Sequence, residues 1–103
     1  MARYDLWYNM SMHILDIQEK SVPILKRRAV KRAGVFGSSA RGEAVARDVD
    51  MLVEMPRPYG LFSFLSLKNE LEDALGTKVD LIEYASIKPQ LRERILREEV
   101  TIL

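Results

Sequence analysis

Apolar residues recur at three- and four-residue spacing from Leu61 to Leu75, through Phe64, Leu65, Leu67 and Leu71, with Lys68 on the same stripe. That period is an amphipathic helix face; Glu70, Glu72 and Asp73 lie off it. Gly76 follows, the residue type that most readily closes a helix. Shorter apolar runs read as strands: Ala29 to Phe36, Val49 to Met55, and Lys78 to Glu83. From about Tyr4 to Glu19 the pattern is weakly helical, with Ile14, Ile17 and the later Ile24-Leu25 able to line one face. Ser21 is placed to cap a short second helix from Val22 to about Arg28, with Pro23 in its first turn, where proline is tolerated. Gly37 to Gly42 reads as a turn into a further short helix, and Pro56 to Gly60 as a loop. Pro89 opens a last helix with Leu91, Ile95 and Leu96 facing inward, and Val100 to Leu103 is β-prone. The order predicts an α+β fold: a small mixed β-sheet with helices packed mainly on one face.

Two of these strands carry acids. In Asp48-Val49-Asp50-Met51-Leu52-Val53 the alternation of a strand puts Asp48, Asp50 and Leu52 on one face and Val49, Met51 and Val53 on the other. Two carboxylates so placed repel each other and risk desolvation, so a Lys or Arg, bulk water or a divalent cation should offset them. An isolated Asp-x-Asp also fits a turn residue followed by a solvent-facing one. Lys78-Val79-Asp80-Leu81-Ile82 adds a single acid to another apolar run. If the two strands are neighbours, Asp80 approaches Asp48 and Asp50, and three carboxylates make an oxygen-only site for a hard cation, Mg²⁺ or Mn²⁺.

Upstream, a strand ends in Gly37-Ser38-Ser39, and nine residues separate Ser38 from Asp48. Gly-rich turns after strands favour anions through their backbone N–H groups. A Walker A loop is excluded, because Glu43-Ala44 stands where Lys and Ser or Thr are required after Gly42. A dinucleotide fingerprint is excluded because Ser38-Ser39 interrupts its glycines. There remains a small turn in which Ser38 and Ser39 can donate to phosphate oxygens and Arg41 can pair with one. A plain strand-to-helix turn is the other reading.

Composition narrows the classes. With 103 residues the chain reads as one domain, a helical segment over 1–28 and a core over 29–103. Sixteen Lys and Arg against fifteen Asp and Glu, net +1, argue against direct nucleic-acid binding. The absence of cysteine excludes disulfides and thiolate metal sites and fits the cytoplasm. No apolar run approaches the roughly 20 residues that span a bilayer, and the N-terminus lacks a signal-peptide layout, so no membrane association is expected. The basic run from Lys26 to Arg32 suits a solvated helix end, with a nucleic-acid or partner contact as the alternative. His13, the single histidine, has no triad partners in the sequence and reads as structural. Trp7, Tyr8, Met10 and Met12 read as packing on the core or, if exposed, as a protein interface, and Tyr59 and Phe62 as hinge packing in preference to a base-stacking platform.

The combination of Gly37-Ser38-Ser39-Ala40-Arg41-Gly42-Glu43-Ala44 with Asp48-Val49-Asp50-Met51-Leu52-Val53 resembles the signature of the DNA polymerase β-like nucleotidyltransferase superfamily. More narrowly, it resembles the minimal nucleotidyltransferases, the MntA-type antitoxins that pair with HEPN-domain toxins. Lys78-Val79-Asp80-Leu81 and Leu91-Arg92-Glu93-Arg94-Ile95 extend the likeness, which covers roughly Ile14 to the end. The resemblance implies a polymerase β-like fold. It implies that Gly37 and Ser38, with Ser39 and Arg41 nearby, hold the triphosphate of ATP. It further implies that Asp48, Asp50 and Asp80 bind a pair of Mg²⁺ ions, and that Asp80 helps deprotonate the attacking hydroxyl. The expected reaction is AMP transfer, with release of pyrophosphate, to a hydroxyl, a tyrosine's, of a HEPN toxin. The chain departs from the family in carrying Arg47 where a serine usually precedes the first Asp, and the segment from Ser38 to Asp48 is short. The alternative is therefore a catalytically weak or inactive antitoxin or nucleotide-binding subunit that acts by binding its partner.

Overall fold

The computed structural model of the chain describes residues 2–37, 40 and 48–103, with side chains from Ile14 onward. Helix α1 (Ala2–Arg27) leads to strands β1 (Arg32–Phe36) and β2 (Asp48–Glu54), helix α2 (Leu61–Leu75), strand β3 (Lys78–Glu83), helix α3 (Pro89–Glu98) and strand β4 (Val100–Thr101). The sheet order is β3-β2-β1-β4. β1 runs antiparallel to β2 and to β4, whereas β2 and β3 are parallel, as their connection through α2 requires. The sheet is thus mixed, as expected. Among the described residues no helix is long and apolar enough to cross a membrane.

The main core lies on the face of Val49, Met51 and Val53. There Ile17, Ile24 and Leu25 of α1 and Leu67 and Leu71 of α2 pack on Ala33, Val35, Val79 and Leu81. The opposite face is covered at one end only: Leu52 meets Ile95 of α3 together with Tyr84 and Ile87 of the connection before it. Glu83 is buried where β2 ends, and its Oε2 accepts from the Met55 N–H at 3.0 Å. Arg28 ties α1 to α2 by donating to Glu70 Oε1 at 2.8 Å and to Ser66 Oγ at 2.9 Å, and Arg27 pairs with the same Glu70. The basic run is therefore not a solvated helix end throughout.

Two expectations fail for physical reasons. The helix break at Ser21 does not occur; α1 runs through Pro23. Ser21 is fully buried, and its Oγ has no hydrogen-bond partner among the described residues, so it packs instead of capping. It shares a stripe with Ile17, Ile24 and Leu25, and burying that stripe outweighs the single helical bond that Pro23 cannot make. The helix is closed instead by Ala29, which has φ 60°. Ala29 N–H bonds Lys26 O at 3.0 Å and Val30 N–H bonds Leu25 O at 2.9 Å, the paired closure of a Schellman motif with alanine in the glycine position. That turn occupies the first residues of the expected strand, so β1 begins only at Arg32. The second failure is on α2. Leu61 and Leu65 stay exposed, and Phe62 is 87% exposed; of the expected hinge pair, only Tyr59 packs, against Phe64.

Candidate active site

β1 delivers Gly37 to the end of the sheet beside Asp50. Phe36 and Asp50 are register partners, and Gly37 then turns with φ 70°. A Cβ at Gly37 would lie 2.4 Å from Asp50 Oδ2. Glycine takes this turn without strain and leaves the Asp50 carboxylate where it is. On the other side of β2, Asp50 is the register partner of Asp80 across the parallel pair, and Asp48 is the partner of Lys78. Because partners in a ladder share a face, Asp48, Asp50 and Asp80 all lie on the side opposite the main core.

Asp50 and Asp80 line one cavity of about 610 Å³ with Gly37. Its far wall is α3, through Leu91, Arg94, Ile95 and Glu98. Leu91, expected to face the core, is an exposed wall residue here. Asp48 belongs to a smaller hollow of about 160 Å³, shared with Asp80, Lys78, Lys68 and Glu72. Glu72 accepts from the Val79 N–H at 2.9 Å and from Lys68 Nζ at 3.1 Å, and these bonds, the backbone one foremost, hold its carboxyl below the usual range. Asp80 thus stands between two hollows, with Asp50 on one side and Asp48 on the other.

Among the described residues no group of three or more acids or histidines is arranged to hold a metal ion unaided. Magnesium does not need one: it is commonly held by one or two carboxylates and completes its shell with substrate phosphates and water. Neighbouring carboxylates at Asp50 and Asp80 in an open cavity fit that demand. Ser38, Ser39, Arg41 and Arg47 lie outside the described residues, as does the short helix expected after Gly42. The side chains of Trp7, Tyr8, Met10, Met12 and His13 lie outside them as well.

Sequence reasoning missed the α3 wall and what anchors it. Tyr84 Oη donates to Glu99 Oε2. Arg32 stacks 4.2 Å above the Tyr84 ring and reaches Glu99 Oε1 at 3.4 Å, while Arg92 donates to the Tyr84 carbonyl at 3.0 Å. Burial, and then the bond to Glu99, push the Tyr84 hydroxyl above its ordinary 10.0. Gly34 makes room for the cluster, since a Cβ there would meet Glu99 Oε2 at 2.0 Å. These partners are far apart in sequence, and no local pattern links them.

Comparison with known proteins agrees with this fold. The family model described as polymerase beta, nucleotidyltransferase matches residues 19–103. A candidate protein adenylyltransferase of Methanocaldococcus jannaschii is 46% identical over 93 residues, covering 89% of this chain and 100% of that protein. The protein adenylyltransferase MntA of Thermococcus cleftensis is 41% identical over 78 residues, 75% of this chain and 79% of its own. The solved structure of a candidate minimal nucleotidyltransferase superposes with a TM-score of 0.71 at 38% identity, over 81% of this chain and 86% of that one. A chain in the complex of a tri-AMPylated HEPN toxin of Shewanella oneidensis with MNT antitoxin shares the fold, with a TM-score of 0.66 at 19% identity over 84% of this chain and 69% of that one. The main core, the cross-strand acids and the glycine turn all lie within the matched residues, and the chain belongs to the polymerase beta nucleotidyltransferase family.

Proposed function

We propose that this chain transfers AMP from ATP to a hydroxyl, a tyrosine's, of a HEPN-domain toxin in the cytoplasm, and so acts as its antitoxin. The observation that carries the reading is Asp50 set beside Asp80 in register, in an open cavity and against the backbone of Gly37. The adenylyltransferase relatives and the AMPylated toxin in a complex of the same fold support the donor and the partner.

In this reading the triphosphate enters the cavity with its phosphates toward the Gly37 turn, where backbone N–H groups, Ser38, Ser39 and Arg41 hold them. Asp80 is exposed, so a hydroxyl on a macromolecule can reach it. Its carboxylate takes the acceptor proton as the acceptor oxygen attacks the α-phosphorus. A new phosphorus–oxygen bond forms, the bond from the α-phosphorus to the β-phosphate oxygen breaks, and pyrophosphate leaves with the electron pair. Mg²⁺ or Mn²⁺, held by Asp48, Asp50 and Asp80 together with phosphate oxygens, would offset the charge gathering on the leaving group. Asp50 is half-buried beside Gly37, whereas Asp48 and Asp80 are exposed.

A second reading, inhibition by binding alone, draws on Arg47 and on Asp48 standing opposite Lys78, outside the Asp50–Asp80 cavity. Incubation of the chain with a HEPN protein encoded beside it, ATP and Mg²⁺, followed by intact-mass measurement and peptide mapping, separates the two. Added AMP on a tyrosine, lost on chelation, supports transfer. Silenced toxicity with no mass change in the partner assigns the chain to the second reading.

A further inference from the structure

The role of α3 goes beyond closing the fold, and this inference rests on the nucleotidyltransferase reading above. Leu91, Arg94, Ile95 and Glu98 are spaced three, four and seven residues along α3, one face of a helix, and that face is the cavity wall opposite Asp50 and Asp80. The wall is anchored. Ile95 is buried against Leu52, Tyr84 and Ile87, Arg92 holds the Tyr84 carbonyl, and Glu99, just past the helix end, is held by Tyr84 and Arg32.

The charge of the cavity sets the problem. Its described carboxylates are Asp50, Asp80 and Glu98, and Arg94 is the cation that the described residues bring to the same wall. A polyphosphate in this cavity calls for a cationic side chain besides any metal that the acids hold. Arg28, Arg32 and Arg92 are each committed to a described partner, whereas Arg94 makes no ion pair or hydrogen bond with the described residues. Arg94 is exposed, and its planar guanidinium fork matches phosphate oxygens better than an ammonium does.

We propose that Arg94 is a phosphate-binding residue of the nucleotide site, its guanidinium holding the polyphosphate tail across the cavity from Asp50 and Asp80. It would fix the tail from the helix side while the Gly37 turn holds it from the sheet side. Calorimetric binding of a non-hydrolysable ATP analogue with Mg²⁺ to the full chain tests this, with inorganic tripolyphosphate as competitor. Arg94→Gln should weaken analogue binding about ten- to a hundredfold, the scale of a lost charge-assisted bond, and abolish competition by tripolyphosphate. Arg94→Lys should restore part of both, and Arg97→Gln should change neither. Arg94→Gln with wild-type affinity and wild-type competition overturns the assignment, as does an equal loss in Arg94→Lys and Arg97→Gln. Wild-type protein that binds neither probe overturns the nucleotide reading itself.

Discussion

At Gly37 the backbone takes φ 70° and leaves Asp50 Oδ2 2.4 Å from the place a Cβ would fill. Gly37→Ala therefore meets two penalties: about 1–2 kcal/mol for a left-handed alanine, and displacement of the Asp50 carboxylate. The expected outcome is a protein with a slightly lower urea midpoint and about a hundredfold less transfer, since small misplacements at a reacting centre have effects of that size. Measuring both quantities on one preparation checks it; unchanged transfer would mean that Asp50 has no fixed position to lose. Tyr84 offers a second residue-level test. Its folded value is raised, by burial first, so its contribution to stability is complete below the ordinary 10.0 and is lost as pH rises above that. Ultraviolet titration should show one of the four tyrosines ionising later than the others, and Tyr84→Phe should remove that late step.

Ala29 closes α1 in a conformation that glycine adopts without strain, and its side chain is exposed. Ala29→Gly should raise stability by about 0.5–1 kcal/mol, the relief of strain less the added freedom of the unfolded chain, read as a higher urea midpoint. In β1, Gly34→Ala would drive Glu99 out of its bond to Tyr84 and loosen α3. Transfer should fall although no cavity residue changes, and faster amide exchange in α3 should accompany the loss. These elements also show what the sequence made legible. The period of α2 and the apolar run of β3 were readable because each is set by local spacing, and both elements fall where that spacing puts them. Strand alternation likewise put Asp48 and Asp50 on one face, and parallel pairing of β2 with β3 brought Asp80 to it. Ser21 was misread because a serine two residues before proline has the same local pattern whether it caps a helix or packs inside one; the burial that decides comes from β-strand residues distant in sequence. The wall of Arg94 and Glu98 was illegible for the same reason. Nothing local to α3 says which face of the sheet it leans on.

Across the whole molecule, the two faces of the sheet differ. α1 and α2 bury the Val49, Met51 and Val53 face, while Asp48, Asp50 and Asp80 stand on the other, where α3 covers only part of the surface. A change of charge at Asp50 therefore leaves the main core untouched, and loss of activity can be told from loss of fold. If the proposed function holds, AMP moves through the site built on Asp50 and Asp80. The most direct measurement supplies the protein and its HEPN partner with ATP carrying radiolabel on the α-phosphate or, separately, on the γ-phosphate, and compares wild type with Asp50→Asn. Label is expected on the partner from the α-position only, absent with Asp50→Asn while the thermal midpoint stays close to wild type. Label arriving from the γ-position, or equal α-labelling by Asp50→Asn and wild type, would contradict the proposed function.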